Sequence, residues 1–116
     1  MNFKETIGLK KDSDFRNVYK KGSSYGNKYL VIYVLENNLD VSRIGISVSK
    51  KVGNAIIRNK TRRRIKEAYR LDVDKNIKSG YDIVIIARVA IKDVDYEAVK
   101  KAIIHLAKKT NIINKK

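Results

Sequence analysis

Five consecutive apolar residues, Ile83-Val84-Ile85-Ile86-Ala87, constrain this chain more than any other stretch. The run is too short for a buried helix and too uniformly apolar for a strand with one wet face. Residues 81–87, entered from the turn-forming Lys78-Ser79-Gly80, are therefore expected to form a central strand covered on both faces. Such a strand needs other strands at its edges and helices above and below it. The 116 residues, 43% hydrophobic and 34% charged, suit one folded domain spanning residues 1–116.

The other elements follow from periodicity and punctuation. Residues 43–49 alternate, with Ile44, Ile46 and Val48 on one face and Arg43, Gly45, Ser47 and Ser49 on the other, which predicts a half-buried strand. Residues 29–35 are β-branched and aromatic and lead into a polar turn at 36–40. Asp12 or Ser13 is placed to cap a first helix running to Lys20, with Phe15, Val18 and Tyr19 on one face and Gly22 to end it. Asn54 is placed to cap a helix from Ala55 to about Leu71. Asp95 is placed to cap a last one whose Val99, Ala102, Ile103 and Leu106 form a core stripe. The Lys- and Asn-rich residues 108–116 are expected to fray as a basic tail. The order α-β-β(-β)-α-β-α predicts an α+β chain, an α/β sandwich in which a small mixed sheet packs against helices.

Charge narrows the function. With 27 Lys and Arg against 12 Asp and Glu, the formal charge is +15, which calls for a polyanionic partner, nucleic acid or an anionic membrane. No apolar run approaches the roughly 20 residues needed to span a bilayer, and Met1-Asn2-Phe3-Lys4-Glu5 lacks the apolar stretch of a secretion signal. A cytoplasmic protein with no membrane partner is the expectation. There is no Cys and one His, which closes off disulfides, thiolate zinc sites and multi-partner Ser-His or Cys-His catalysis. No catalytic residue, no protein metal site and no small-molecule substrate are expected. His105, beside the last helix's core stripe and with no second His or Cys, reads as a helix-surface or satisfied core histidine, not a catalytic group. Gly45, Gly53 and Gly80 form no phosphate-binding motif.

The charge is concentrated. Lys50, Lys51, Arg58, Lys60, Arg62, Arg63, Arg64, Lys66 and Arg70 are nine basic residues in a stretch with one acid, Glu67. At about 100° per residue, Arg58, Asn59, Arg62, Arg63, Lys66 and Arg70 share one sector of the helix. Ile57, Thr61, Ile65 and Ala68 lie opposite. Arg binds phosphate through a planar fork, so an Arg-rich rail suits a nucleic-acid backbone, with a merely solvated helix face as the alternative. Asn59 adds a hydrogen-bonding group for phosphate, ribose or base edge.

A second constellation lies on the sheet. Alternation puts Tyr29, Val31, Tyr33 and Leu35 on one face, with Gly45, Ser47 and Ser49 available beside them and Lys50 and Lys51 immediately after. Tyrosines next to small residues make a shallow trough, bordered by Phe15 and Tyr19 if the first helix lies over it. Such a surface holds single-stranded nucleic acid by stacking. Phe and Tyr at helical spacing are as readily core, and spacing alone favours core.

The stretch from Arg43 to Arg70 resembles the signature region of the bacterial ribonuclease P protein. It has the strand end Ser47-Val48-Ser49-Lys50-Lys51, the helix start Gly53-Asn54-Ala55, and the pattern Arg58-Asn59-x-x-Arg62-Arg63-x-x-Lys66. The resemblance extends to residues 9–22 with Asp14-Phe15 and Val18-Tyr19, to the strand with Tyr33, to residues 81–88, and to His105-Leu106. Tyr19 stands where Phe is frequent, Val89 where Lys is expected and Arg62 where Lys is common. The resemblance implies a helix–sheet sandwich with a left-handed crossover, an exception to the usual handedness. It implies a cleft for the single-stranded 5′ leader of precursor tRNA, lined by Phe15, Tyr19 and Tyr33 with Ser49, Lys50 and Lys51 near it. It further implies that Arg58, Asn59, Arg62, Arg63, Lys66 and Arg70 bind a catalytic RNA subunit, ribonuclease P RNA. Phosphodiester hydrolysis would then use Mg²⁺ held chiefly by that RNA, the protein supplying affinity and positioning. A structural ribosomal protein is the main rival. A DNA-binding helix module leaves the strands unexplained, and a protein-only nuclease lacks the catalytic groups.

Overall fold

In chain order the elements are β1 (Thr6–Gly8), α1 (Asp12–Lys21), β2 (Ser23–Gly26), β3 (Leu30–Glu36), β4 (Ser42–Ser47), α2 (Ala55–Asp72), β5 (Tyr81–Ala87) and α3 (Tyr96–Lys109). They come from a computed structural model that describes residues 3–114. The sheet order is β1-β4-β5-β3-β2, so the apolar run forms the middle strand, parallel to β4 and antiparallel to β3. The unit β4-α2-β5 is the parallel crossover to which the expected left-handed sense applies. No helix among the described residues is long and apolar enough to cross a membrane.

Both faces of β5 are covered, by unequal amounts. Ile83 and Ile85 enter a large core with Ile65, Ala68 and Tyr69 of α2 and Val99, Ile103 and Leu106 of α3. On the opposite face Val84 meets only Val18 of α1 and Leu9, with Phe15, Tyr33, Leu35 and Ile86 partly buried around them. Two long helices thus cover one face and a single short one the other.

The helix caps show which sequence signals carry through. Asn54 accepts from the Ile57 amide at 3.0 Å and Asp95 from the Ala98 amide at 2.9 Å, as their positions predict. The first helix differs: its cap position is Lys11, with no side-chain cap, and Asp12 lies inside the first turn. There its negative charge still suits the helix dipole, but its carboxylate is not used for capping. Gly22 ends α1 at φ −78° by donating to the Val18 carbonyl, so it is not a left-handed cap. Glycine is needed for clearance, because a Cβ there would lie 2.6 Å from the Val18 oxygen.

Other departures have local causes. β4 stops at Ser47, where its ladder with Ile86 ends, although Val48 stays buried. Tyr29 precedes β3 and packs against the large core, not beside Tyr33 as alternation suggests. β1 and β2 are short edge strands, one of three residues and one fully exposed, and neither has a periodic pattern to read. The end of the chain does not fray through Asn114. Ile112 is buried, Ile113 bridges Ile77, and the Asn114 amide donates to the Asn76 carbonyl. Two isoleucines in a polar segment are enough to dock it. Lys115 and Lys116 lie outside the described residues.

The N-terminal strand is tied down by a buried carboxylate. Asp74, 2% exposed, follows α2 and accepts from the amides of Lys4 and Glu5 and from the Thr6 hydroxyl at 2.6 Å. Thr6 Oγ1 is also 2.8 Å from the Tyr69 hydroxyl, which burial pushes well above its ordinary pKa. Replacing Asp74 by Ala strands these donors. It is expected to cost about 2–4 kcal/mol in urea unfolding, with amide exchange rising first at residues 4–6.

Candidate nucleic-acid interface

Across the thinly covered face, the ladder aligns Tyr33 of β3, Val84 of β5 and Gly45 of β4 in one row. Gly45 has a specific use here: a Cβ on it would stand 2.3 Å from Phe15 Cζ, so the ring of Phe15 lies directly on the strand backbone. Val18 takes the fully buried place on α1, at 0% exposure, while Tyr19 remains 39% exposed. The two rings of Tyr19 and Tyr33 meet edge-to-face with centroids 5.1 Å apart. Partial burial raises the Tyr19 hydroxyl pKa, with Ser47 beside it pulling the other way. The hydroxyl therefore stays protonated at neutral pH.

Beside these rings is an open depression of about 450 Å³ lined by Asp12, Phe15, Arg16, Tyr19, Ser47 and Arg62, among others. Phe15 and Tyr19 are brought together here as the sequence suggests, and Tyr33 joins them through its contact with Tyr19. Ser49, Lys50 and Lys51 do not line the depression. They are exposed on the turn that follows β4, closed by the Val52 amide donating to the Ser49 carbonyl.

An ion-pair clamp also links α1 to the sheet, beside the packing of Val18 and Phe15. Arg43 donates through Nε and Nη2 to the two oxygens of Asp82 at 2.7 and 2.6 Å, and Nη1 lies 3.5 Å from Asp14 of α1. Asp82 is 2% exposed and also receives the Asn37 side-chain amide at 2.9 Å. The pairing raises the Arg43 pKa further, chiefly through the Asp82 hydrogen bond. Sequence reading passed over this clamp, although an Asp inside an apolar strand opposite an Arg of alternate register is the signal that marks it.

α2 divides as its periodicity predicts. Thr61, Ile65, Ala68 and Tyr69 are buried, while Asn59, Arg63 and Arg70 are exposed and Arg58, Arg62 and Lys66 are half-buried. Arg62 donates to Asn59 Oδ1 at 2.9 Å, and Arg70 pairs with Glu67. Arg64, outside the rail, ties α2 to the loop before α3 by donating to the Val94 carbonyl at 2.6 Å. Arg62 and Lys66 also border a second depression of about 530 Å³ with Phe3, Ile7, Phe15 and Ile44. Arg62 thus joins the rail to both hollows.

His105 is exposed on α3, its Nδ1 3.3 Å from the Asn27 side-chain amide, in keeping with a surface helix residue. Among the described residues no three His, Cys, Asp or Glu side chains stand together as metal ligands.

Comparison with known proteins identifies the combination. A family described as Ribonuclease P matches residues 3–111. The ribonuclease P protein component of Clostridioides difficile strain 630 is 63% identical over 112 residues, 97% of this chain and 98% of that protein. The RNase P protein of Staphylococcus aureus superposes with a TM-score of 0.85 at 38% identity, covering 93% of this chain and 98% of the other. That of Thermotoga maritima does so at 0.79 and 35% identity, covering 87% and 94%. With sequence and fold agreeing over nearly the whole length, the chain belongs to the ribonuclease P protein family.

Proposed function

We propose that this protein subunit of ribonuclease P grips two RNAs on adjoining surfaces, the RNA subunit along α2 and the 5′ leader of precursor tRNA in the aromatic trough. One observation carries the reading: Arg62 stands at once in the α2 rail and in the wall of the trough. A cation placed there can neutralise phosphates of both strands where they converge. Arg58, Asn59, Arg62, Arg63, Lys66 and Arg70 hold the RNA subunit. Phe15, Tyr19 and Tyr33 stack leader bases, while Ser49, Lys50 and Lys51 meet the leader's backbone on the turn beyond the trough.

The chain acts as one domain over residues 1–116, in the cytoplasm, with no membrane partner and no small-molecule substrate. Its role in leader removal is to bind and orient. No three His, Cys, Asp or Glu side chains stand together among the described residues as an all-protein cage, and a Mg²⁺ held chiefly by RNA phosphates needs none. Mg²⁺ is left to the phosphates of the RNA subunit.

Three outcomes test this reading. Protein free of RNA is expected to leave precursor tRNA uncut, and adding it to the RNA subunit to lower the Mg²⁺ needed for cleavage. Robust cleavage by contaminant-free protein would refute the reading. Replacing Arg58, Arg62, Arg63 and Lys66 with Ala is expected to weaken RNA-subunit binding and flatten its salt dependence, by roughly 0.7–0.9 in log–log slope per lost phosphate contact. The fold should survive, as the opposite face carries the core. An unchanged slope would return α2 to a solvated face.

Truncating Tyr19 or Tyr33 to Ala is expected to cost about 1–3 kcal/mol in holoenzyme affinity for precursor tRNA and little for mature tRNA. Equal losses for both, with a large fall in melting temperature, would make the rings core residues.

A further inference from the structure

A phosphate-binding trough explains Arg16 and Arg62, whereas Asp12, although it suits the dipole of α1 from the first turn, sets a negative charge in the trough wall. Asp12 is the first residue of α1, exposed, and lines the trough with Tyr19, Ser47 and Arg62. It does not cap the helix, and among the described residues its carboxylate has no hydrogen bond or ion pair; the nearby clamp uses Asp14 instead. In a chain of charge +15 made to hold a polyanion, a free carboxylate in the wall repels the ligand's backbone.

What a carboxylate offers a nucleic acid is acceptance of an N–H from a base edge. The wall around it is arranged for such a contact. Arg16 and Arg62 can attend to phosphates, the Tyr19 and Phe15 rings offer stacking faces, and the hydroxyls of Ser47 and Tyr19 can donate to a ring nitrogen or carbonyl. Cytosine, adenine and guanine carry an exocyclic amino group. Uracil has a carbonyl where cytosine has its amino group, and against Asp12 two acceptors would face each other with no proton between them.

We propose that Asp12 is a specificity-determining residue of the trough, accepting a hydrogen bond from the exocyclic amino group of a leader base and so disfavouring uracil at that position. The inference rests on the trough being the leader site. It assigns Asp12 opposite effects on affinity and selectivity: the carboxylate weakens binding of leaders in general and sharpens the choice among them.

The test uses reconstituted holoenzyme and precursor tRNAs in which single leader positions are changed between cytosine and uracil, a swap that alters hydrogen bonding with little change in ring size. At one leader position the unmodified protein is expected to bind the cytosine substrate about tenfold more tightly, the scale of one hydrogen bond to a charged group. Asp12→Ala is expected to bring that ratio to about one, chiefly by improving the uracil substrate, and more so at low salt. Asp12→Asn, whose amide can both donate and accept, is expected to relax the choice as well.

A cytosine preference unchanged in Asp12→Ala, or no preference at any leader position in the unmodified protein, overturns the proposal. An equal loss for both substrates with a lower melting temperature also overturns it, leaving Asp12 to stabilise the start of α1. Failure of the underlying reading shows differently. If Ala at Phe15, Tyr19 and Tyr33 leaves the difference between precursor and mature tRNA intact, the leader lies elsewhere, and the assignment of Asp12 falls with the trough.

Discussion

The structure turns on a central strand that must be dry on both faces and is supplied with helices unequally. β5 carries isoleucines on one face and valine and isoleucine on the other, so neither face tolerates water. On one face α2 and α3, of 18 and 14 residues, give complete cover. On the other, the 10 residues of α1 reach only part of the sheet. Aromatic rings finish the job: Phe15 lies on Gly45, and Tyr33 and Tyr19 close against each other. Rings at the border of a core are half covered by necessity, and the exposed half presents a flat apolar face to solvent. The distinction between core residue and binding platform is therefore not exclusive for Phe15 and Tyr33, whereas the more exposed Tyr19 lies nearer the platform end.

Because α1 has so small a core beneath it, its position depends on polar contacts to an unusual degree. Asp82 would be costly in the middle of the sheet without Arg43 and Asn37, which between them occupy both of its oxygens. The same guanidinium reaches Asp14, one residue from Phe15. The clamp thereby ties the turn of α1 that carries Phe15 to the sheet on which the ring rests. A buried ion pair is poor evidence of stability, but it does restrict the arrangements in which its partners remain satisfied.

How much of this was legible depends on whether the signal was local. The middle strand, β4, the caps of α2 and α3 and the two faces of α2 are written in short-range patterns of apolar period and capping residues, and each matches the structure. β1 is set by pairing with a distant partner, Thr6 with Ser42, and β2 by a local hairpin to β3, Tyr25 with Ile32, yet neither carries an apolar period that would announce it. The rail could be read from helical period alone. The trough could be read only in part: alternation puts Tyr33 beside Ser47, but residues from α1, β3, β4 and α2 meet there, and the resemblance to a known family was needed to set Phe15 and Tyr19 over it. Ser47 is legible beside Tyr33 from alternation, but neither route puts Asp12 or Arg16 in the wall; their place there follows from where Lys11 starts the helix and where Gly45 lets it rest.

The placement of charge on α2 completes the logic. Its first turn contains no acid to meet the positive end of the helix dipole, and Lys50 and Lys51 stand just ahead of it. Among the described residues Arg58 Nε is buried with no protein hydrogen-bond partner. In the isolated chain these features oppose folding through mutual repulsion and lost solvation, and the apolar face with Ile65, Ala68 and Tyr69 must offset them. A polyanion laid along the rail reverses the sign of the repulsive terms. Folding stability and RNA binding are then linked by mass action, since a ligand held only by the native state stabilises it in proportion to RT ln(1 + [L]/Kd). The +15 charge has no counterpart within the chain itself, and a polyanion along the rail is what would match it.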